Sequence, residues 1–224
     1  MGGVQRSYTV RRCSENKQVT GLWDDPEWKR TVSLTIDNSM EEHPSYVPVT
    51  EAKLLYNDTR IHVIFRVEDR YVRTRRQAFQ DDVWNDSCVE FFFTPSADRA
   101  TGYFNLEMNA GGVMLFHHRQ NRTEGIELVR PEDGKRIEIK GSLPRINDPE
   151  IPGPLVWTIE YAIPYEVISR YTIMVRPAPG VLWYANFYKC ADESSHPHWF
   201  TWNPIASERP DFHRKECFGI LAFA

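Results

Sequence analysis

Residues 87–94 read Ser-Cys-Val-Glu-Phe-Phe-Phe-Thr and residues 103–109 read Tyr-Phe-Asn-Leu-Glu-Met-Asn, and these two stretches decide the fold. A side chain on a β-strand points to the face opposite from its neighbours, so residues two apart share a face. Val89, Phe91 and Phe93 therefore share one face of the first stretch. Both stretches predict strands with one apolar face turned toward a core.

The same kind of run recurs along the chain between turn residues. Short β-branched or aromatic segments occupy residues 32–36, 52–56, 61–67, 113–117, 126–128, 137–140, 155–163, 182–188 and 218–223. Such spacing is typical of an antiparallel β-sandwich, here jelly-roll-like with about ten strands. Helical periodicity is weak, and only residues 164–170, which begin with a proline, predict a short helix. Residues 1–224 are expected to form one domain.

The apolar faces of these strands predict the core. We expect it to contain Val63, Phe65, Val89, Phe91, Phe104, Leu106, Trp157, Ile159, Trp183 and Phe187. The opposite faces carry hydrogen-bonding groups, which we list as Glu90, Asn105, Glu107 and Asn186. A polar sheet face is commonly just solvated, but carboxylates and amides are also the partners that sugar hydroxyls require. The pattern leaves both interpretations open.

Two loops contain tryptophans that favour a sugar. Trp84 lies among Asp and Asn residues just before the strand of Glu90, and Trp199 and Trp202 lie in a proline-bounded segment. An indole ring offers an apolar face on which the C–H face of a sugar ring can stack. Each ring could equally cap an end of the sandwich.

Composition excludes several partners. The 224 residues have a net charge of −4, and no apolar stretch reaches the length of a membrane span. Nucleic acid and membranes are therefore not expected as partners. The four widely spaced cysteines predict reduced thiols rather than a disulfide framework. We expect a monomer that is cytoplasmic unless a leader has been removed, since residues 1–8 have no apolar signal segment.

Several motifs together resemble carbohydrate-binding module family 9, over about residues 30–223. The matching segments are Trp-Asn-Asp-Ser-Cys-Val-Glu-Phe-Phe at 84–92, Gly-Tyr-Phe-Asn-Leu-Glu-Met-Asn at 102–109, Trp-Thr-Ile-Glu-Tyr-Ala-Ile-Pro at 157–164, Trp-Tyr-Ala-Asn-Phe-Tyr-Lys at 183–189, Ser-His-Pro-His-Trp at 195–199 and Phe-His-Arg-Lys-Glu-Cys-Phe-Gly at 212–219. The resemblance implies a non-catalytic β-sandwich that holds a mono- or oligosaccharide between two tryptophans and supports carbohydrate catabolism. Family members are usually attached to secreted glycosidases, whereas this chain is the module almost alone.

The resemblance also implies roles for individual residues. Trp84 matches the first stacking tryptophan and Glu90 the hydroxyl-binding glutamate, while either Trp199 or Trp202 fits the second tryptophan, of which we favour Trp202. Asn186 is expected as a neighbour on the same polar face. The family's binding arginine has two candidates, which are Arg66 and Arg119.

A structural calcium ion is a further implication of the resemblance. Asp69, Asp82 and Asp86 are its candidate ligands because carboxylate oxygens from loops suit this ion. Solvated loop acids are the alternative, since no regular ligand spacing is present.

Two other functions remain open at this point. A glycoside hydrolase needs a pair of carboxyl groups beside the scissile bond, and Glu90 with Glu107 could supply it. A haem or metal protein could draw its ligands from Met108, His117, His118, His196, His198 and His213, with Asp192 and Glu193 near two of them.

Overall fold

A computed structural model describes residues 5–224. Residues 1–4 lie outside it, and the expectation about a leader rests partly on them. The described residues form sixteen strands: β1 Ser7–Arg12, β2 Leu34–Thr35, β3 Asn38–Ser39, β4 Val49–Tyr56, β5 Arg60–Asp69, β6 Val72–Thr74, β7 Cys88–Thr94, β8 Tyr103–Asn109, β9 Met114–Arg119, β10 Glu127–Leu128, β11 Glu138–Gly141, β12 Asn147–Ile151, β13 Leu155–Pro164, β14 Leu182–Cys190, β15 Trp199–Thr201 and β16 Gly219–Phe223. The all-β class is confirmed. The predicted count of about ten is too low because two- and three-residue strands such as β3 and β15 are too short to show alternation.

Helices are few and short. The predicted one forms over Tyr165–Ile168, directly after Pro164. Two further single-turn helices, Pro26–Lys29 and Pro131–Gly134, each begin with a proline, whose fixed φ suits the first helical position. Within residues 5–224, no helix combines the length and apolarity that crossing a bilayer demands.

Two curled layers of strands face each other and are joined through β1. One layer has the order β10-β9-β8-β7-β14-β16, and the other has the order β4-β5-β13-β11. Ser7–Val10 pairs with β16, and Arg11 and Arg12 pair with β4. Both of these pairings are parallel, so the expectation of a purely antiparallel sandwich is wrong at β1. The first strand enters between the two layers and completes the sandwich.

The core lies between the layers, and all ten of the predicted core residues belong to it. Its centre is aromatic. The Phe91 ring stacks on Phe93 at a centroid distance of 4.5 Å and on Phe187 at 4.9 Å, and Phe93 stacks on Trp183. These rings come from β7 and β14, which pair directly, so the stack binds the sequence-distant halves of the layer together.

The second face of the same layer is also covered. Every residue of β7 and β8 is buried, including Glu90 at 2% exposure and Glu107 at 4%. The segment after β15 lies over this face, where Phe212 and Phe218 pack on aromatic side chains of β7, β8 and β14. The polar face is therefore not a solvated sheet surface, which decides between the two interpretations that the sequence left open.

Candidate functional site

A cavity of about 220 Å³ opens on this covered polar face. The strands contribute Glu90, Phe92, Glu107, Arg119 and Cys190, with Trp199 at the start of β15, and a 3₁₀ turn over Val83–Asn85 contributes Trp84. The loops contribute Arg122, Asp192, Pro210, Asp211, Phe212 and His213. Its volume lies below the roughly 300–1,000 Å³ of pockets for drug-sized ligands, so it suits a smaller molecule. Aromatic rings and charged groups both line it.

Glu90 and Glu107 lie side by side on the strand side of the pocket. They are register partners on the adjacent strands β7 and β8. The thiol of Cys190 donates to Glu90 Oε1 at 3.2 Å, and Asn105 Nδ2 donates to Glu107 Oε1 at 2.9 Å. The other oxygen of each carboxyl group, Oε2, is buried and has no hydrogen-bond partner within residues 5–224. Two buried oxygens are thus left to form hydrogen bonds with a ligand.

Burial controls the charge of this pair. It raises the pKa of Glu90 well above the ordinary value, and the neighbouring Cys190 and Glu107 add to that effect. Burial raises the pKa of Glu107 to about 7, although the Asn105 amide partly opposes it. Two carboxyl groups this close cannot both ionise easily, so the pair retains a proton near neutral pH.

Arg119 is connected to the two pocket glutamates through the side-chain amide of Asn105. Its Nε donates to Asn105 Oδ1 at 3.0 Å, and the amide nitrogen of the same Asn105 donates to Glu107. Asn105 therefore fixes the orientation of both the guanidinium and the carboxyl group. Of the two candidate arginines, Arg119 lines the pocket, whereas Arg66 forms ion pairs with Glu51 and Glu68 in the other layer.

Trp84 and Trp199 both line the pocket and are both half-buried. They pack against a small cluster that includes Val83 and Cys190. Trp199 Nε1 donates to Asp192 Oδ1 at 2.8 Å, and the backbone N–H of Asp192 donates to the carbonyl oxygen of Trp84. These bonds tie the two tryptophan-bearing segments together and hold both rings at one cavity.

Two of the predicted ligand-binding residues lie elsewhere. Trp202 is 3% exposed and packs edge-on against Phe187 in the main core, so it is not a wall of this pocket. Asn186 is fully buried and exchanges hydrogen bonds with the backbone of Asn203. Both side chains stabilise the fold beside the site, and the structure places Trp199 rather than Trp202 at the pocket with Trp84.

The three aspartates predicted to bind calcium do not converge. Asp86 Oδ2 accepts hydrogen bonds from two backbone N–H groups and from Asn109, and it is buried. Asp69 is buried beside the ammonium of Lys189, at 3.5 Å, and accepts a hydrogen bond from Trp157. Asp82 lies in a separate surface depression with Arg75 and Arg76. This ligand set does not fit a calcium ion, because the two buried carboxylates already have cationic or N–H partners.

The histidines named as haem or metal ligands are also dispersed. His198 Nε2 lies 2.8 Å from Lys189 Nζ, and its Nδ1 lies 2.8 Å from the His196 carbonyl oxygen. His118 bonds the backbone of Thr101, and His213 Nδ1 bonds the Tyr103 hydroxyl at 2.9 Å. Within the described chain, the one compact group of three metal-ligating side chains is Cys88, Glu90 and Cys190.

Sequence reasoning missed part of the loop side of the pocket. Pro210 and Asp211 belong to a segment without strand or helix periodicity, so no pattern marked them as site residues, and His213 was expected only as a haem or metal ligand. Arg122 lies in a turn, with Nε 3.2 Å from Asp211 Oδ1. Cys190 could have been found, since it lies two residues beyond Tyr188 on the polar face of β14.

A pocket lined by two indole rings, carboxyl groups and a guanidinium on the face of a β-sandwich is typical of a carbohydrate-binding module. The comparison with protein families agrees. The model of Carbohydrate-binding family 9 matches residues 27–223, and the chain belongs to that family. Among curated proteins, no relative matches this chain.

Solved structures share the fold over nearly the whole chain. A Bacteroides uniformis protein proposed to bind carbohydrate is 26% identical, with a TM-score of 0.88 over 98% of this chain and 100% of its own. A family 9 module from Caldicellulosiruptor kristjanssonii in complex with glucose is 14% identical, with a TM-score of 0.68 over 98% of this chain and 96% of its own. The cellotriose complex of a family 9 module from the same organism is 13% identical, with a TM-score of 0.67 over 97% of this chain and 93% of its own.

Proposed function

We propose that this protein binds a mono- or oligosaccharide in the pocket between Trp84 and Trp199. The sugar ring stacks on the indoles, and its hydroxyls donate to Glu90 and Glu107. Arg119, which Asn105 orients, donates to a sugar oxygen at the edge of the pocket. Binding without turnover is the function, and we propose that it supports carbohydrate catabolism.

One observation carries this proposal more than any other. Glu90 Oε2 and Glu107 Oε2 are buried in the same pocket and lack partners among residues 5–224. A buried acceptor without a donor costs about 1–3 kcal/mol, so an arrangement with two of them is expected where a ligand supplies the donors. Sugar hydroxyls supply such donors, and the flanking indoles select a ligand with an apolar ring face.

Calorimetric titration with glucose, cellotriose and a broad oligosaccharide panel tests the proposal. Glucose and cellotriose are included because the two Caldicellulosiruptor complexes hold them. Glu90→Ala should weaken binding about tenfold or more, since leaving a buried hydrogen-bonding group without its partner costs about 1–3 kcal/mol. Glu138→Ala is the matched control, because Glu138 pairs with Arg60 on the other layer, away from the pocket. The absence of binding heat for every sugar, together with a blank glycan array, would contradict the proposal.

Hydrolysis is the competing activity, and it is favoured by the close register of Glu90 and Glu107. Incubation with oligosaccharides should produce no new reducing ends if the protein only binds. A hydrolase would instead release them, and Glu90→Gln would then abolish turnover while sparing affinity. That result would replace the binding function with a catalytic one.

A further inference from the structure

Two cysteines and one of the pocket glutamates form a compact group. Cys88 and Glu90 are two residues apart on β7 and so share a face, and Cys190 is the register partner of Cys88 on β14. One ligand atom from each of the three side chains can be chosen so that all lie within 4.8 Å of one another. Cys190 Sγ lies 3.2 Å from Glu90 Oε1.

We propose that Cys88, Cys190 and Glu90 bind a thiophilic divalent ion of the zinc type. Both sulfurs bind as thiolates, each thiol proton passing to solvent, and Glu90 supplies a carboxylate oxygen. A fourth position remains for water on the pocket side. This site shares Glu90 and the pocket with the proposed sugar site, but its observations and its test do not depend on sugar binding.

The distances suit such an ion. Zinc binds sulfur at about 2.3 Å and carboxylate oxygen at about 2.0–2.2 Å in a tetrahedral arrangement, which separates two sulfur ligands by about 3.8 Å. The candidate ligand atoms already lie within 4.8 Å of one another, so the group is compact enough to surround one ion. Two sulfurs also select the ion, since thiolates favour zinc-like metals whereas calcium prefers oxygen ligands.

Two features provide a vacant ligand and a route of entry. Glu90 Oε2 is buried without a hydrogen-bond partner in the described part of the chain, so one carboxyl oxygen is free to bind. Cys190 and Glu90 both line the cavity, whereas Cys88 lies behind them among Val83, Val113 and Leu115. An ion therefore enters through the pocket and meets Cys190 and Glu90 before Cys88.

Titration of the reduced protein with Co²⁺ under anaerobic conditions tests the site. Cobalt bound by two thiolates should produce sulfur-to-cobalt charge-transfer absorption and the visible bands of a tetrahedral complex, with about one ion per chain, and Zn²⁺ should displace it. Cys88→Ser and Cys190→Ser should each abolish the charge-transfer band of the pair. Glu90→Gln should weaken cobalt affinity about tenfold or more, because even outer partners of metal ligands contribute about 10–100-fold.

Controls and a second measurement keep the test decisive. Cys13→Ser and Cys217→Ser should leave the bands unchanged, because these cysteines are not in the group. On the wild-type protein, Zn²⁺ should slow alkylation of Cys190 by a small thiol reagent, as followed by mass spectrometry, which needs no folded variant. Bands that persist in both Cys88→Ser and Cys190→Ser, or alkylation that Zn²⁺ does not slow, would overturn the proposal.

Discussion

Separate substitution of Trp84, Trp199 and Trp202 tests which of these tryptophans form the walls of the proposed sugar site. Trp84 and Trp199 pack by one side against the cluster around Val83, which leaves their other side to the pocket. Stacking on an indole contributes about 0.5–1.5 kcal/mol beyond area burial. An apolar contact on the order of 50 Å² adds about 1 kcal/mol at roughly 25 cal/mol per Å². The sum of about 2 kcal/mol corresponds to an affinity loss of about 30-fold.

Trp84→Ala and Trp199→Ala should each show this loss in calorimetry with the best sugar of the panel, while both variants stay folded. Trp202→Phe should behave oppositely, because its ring is buried against Phe187 and Gly219. Its stability should fall by about 1–3 kcal/mol in urea unfolding, with affinity within about twofold of the wild type. If Trp202→Phe lost the sugar and Trp199→Ala kept it, the pocket described here would not be the binding site.

Three further outcomes test the electrostatics of the fold. Glu107→Gln should raise the free energy of unfolding at pH 8 by up to about 3 kcal/mol, but not at pH 4. The pKa of Glu107 in the folded protein is about 7, above the ordinary value of 4.5. This carboxyl group therefore destabilises the native state as the pH rises from 4.5 to 7, and glutamine removes that effect. A pH-independent difference in urea unfolding would contradict this reasoning. Sugar binding near pH 7 should release protons, because hydrogen bonds donated by sugar hydroxyls favour the ionised carboxylate. Binding heats measured by calorimetry should therefore differ between buffers that have different ionisation enthalpies, and equal heats would argue against proton release. Calcium binding elsewhere in the chain stays a prediction, in which case excess chelator lowers the melting temperature as expected for a ligand of the native state alone; an unchanged melting curve would count against calcium.

The strands and core were predictable because their signal is local. Phe91 and Leu106 are register partners, and each lies in an alternating run whose apolar face can point only one way. The same alternation put Glu90 and Glu107 on the opposite face, so the strand side of the pocket follows from the sequence. That these strands are adjacent was a supposition, which the register of β7 and β8 confirms.

The structure places Trp199 at the pocket and Trp202 in the core for a reason that is also local. Residues 199–201 form a strand, and residues separated by an odd number of positions on a strand face opposite sides. Phe200 and Trp202 therefore share the core face, and Trp199 turns toward the pocket. Treating this segment as an irregular loop removed the one signal that separates the two rings.

Long-range features could not be predicted in this way. The parallel pairing of β1 with β16 joins residues more than two hundred positions apart, such as Tyr8 and Leu221, and neither sequence specifies its partner. The cationic partner of Asp69 is another case, since Lys189 lies on a distant strand in an apolar run. Only the folded layer shows that this carboxylate has an ammonium beside it.

The burial of both faces of β7 and β8 links the stability of this layer to its proposed function. A sheet covered on both sides is usually apolar on both sides, because a buried acceptor without a donor is costly. Here the inner face follows that rule through Phe91 and Leu106, while the outer face keeps Glu90 and Glu107 with one unpaired oxygen each. The surrounding aromatic packing, including the Tyr188 and Phe212 stack at 4.2 Å, offsets that cost locally. A ligand that pairs with both oxygens would remove that cost, so the same two groups that weaken this layer would favour binding.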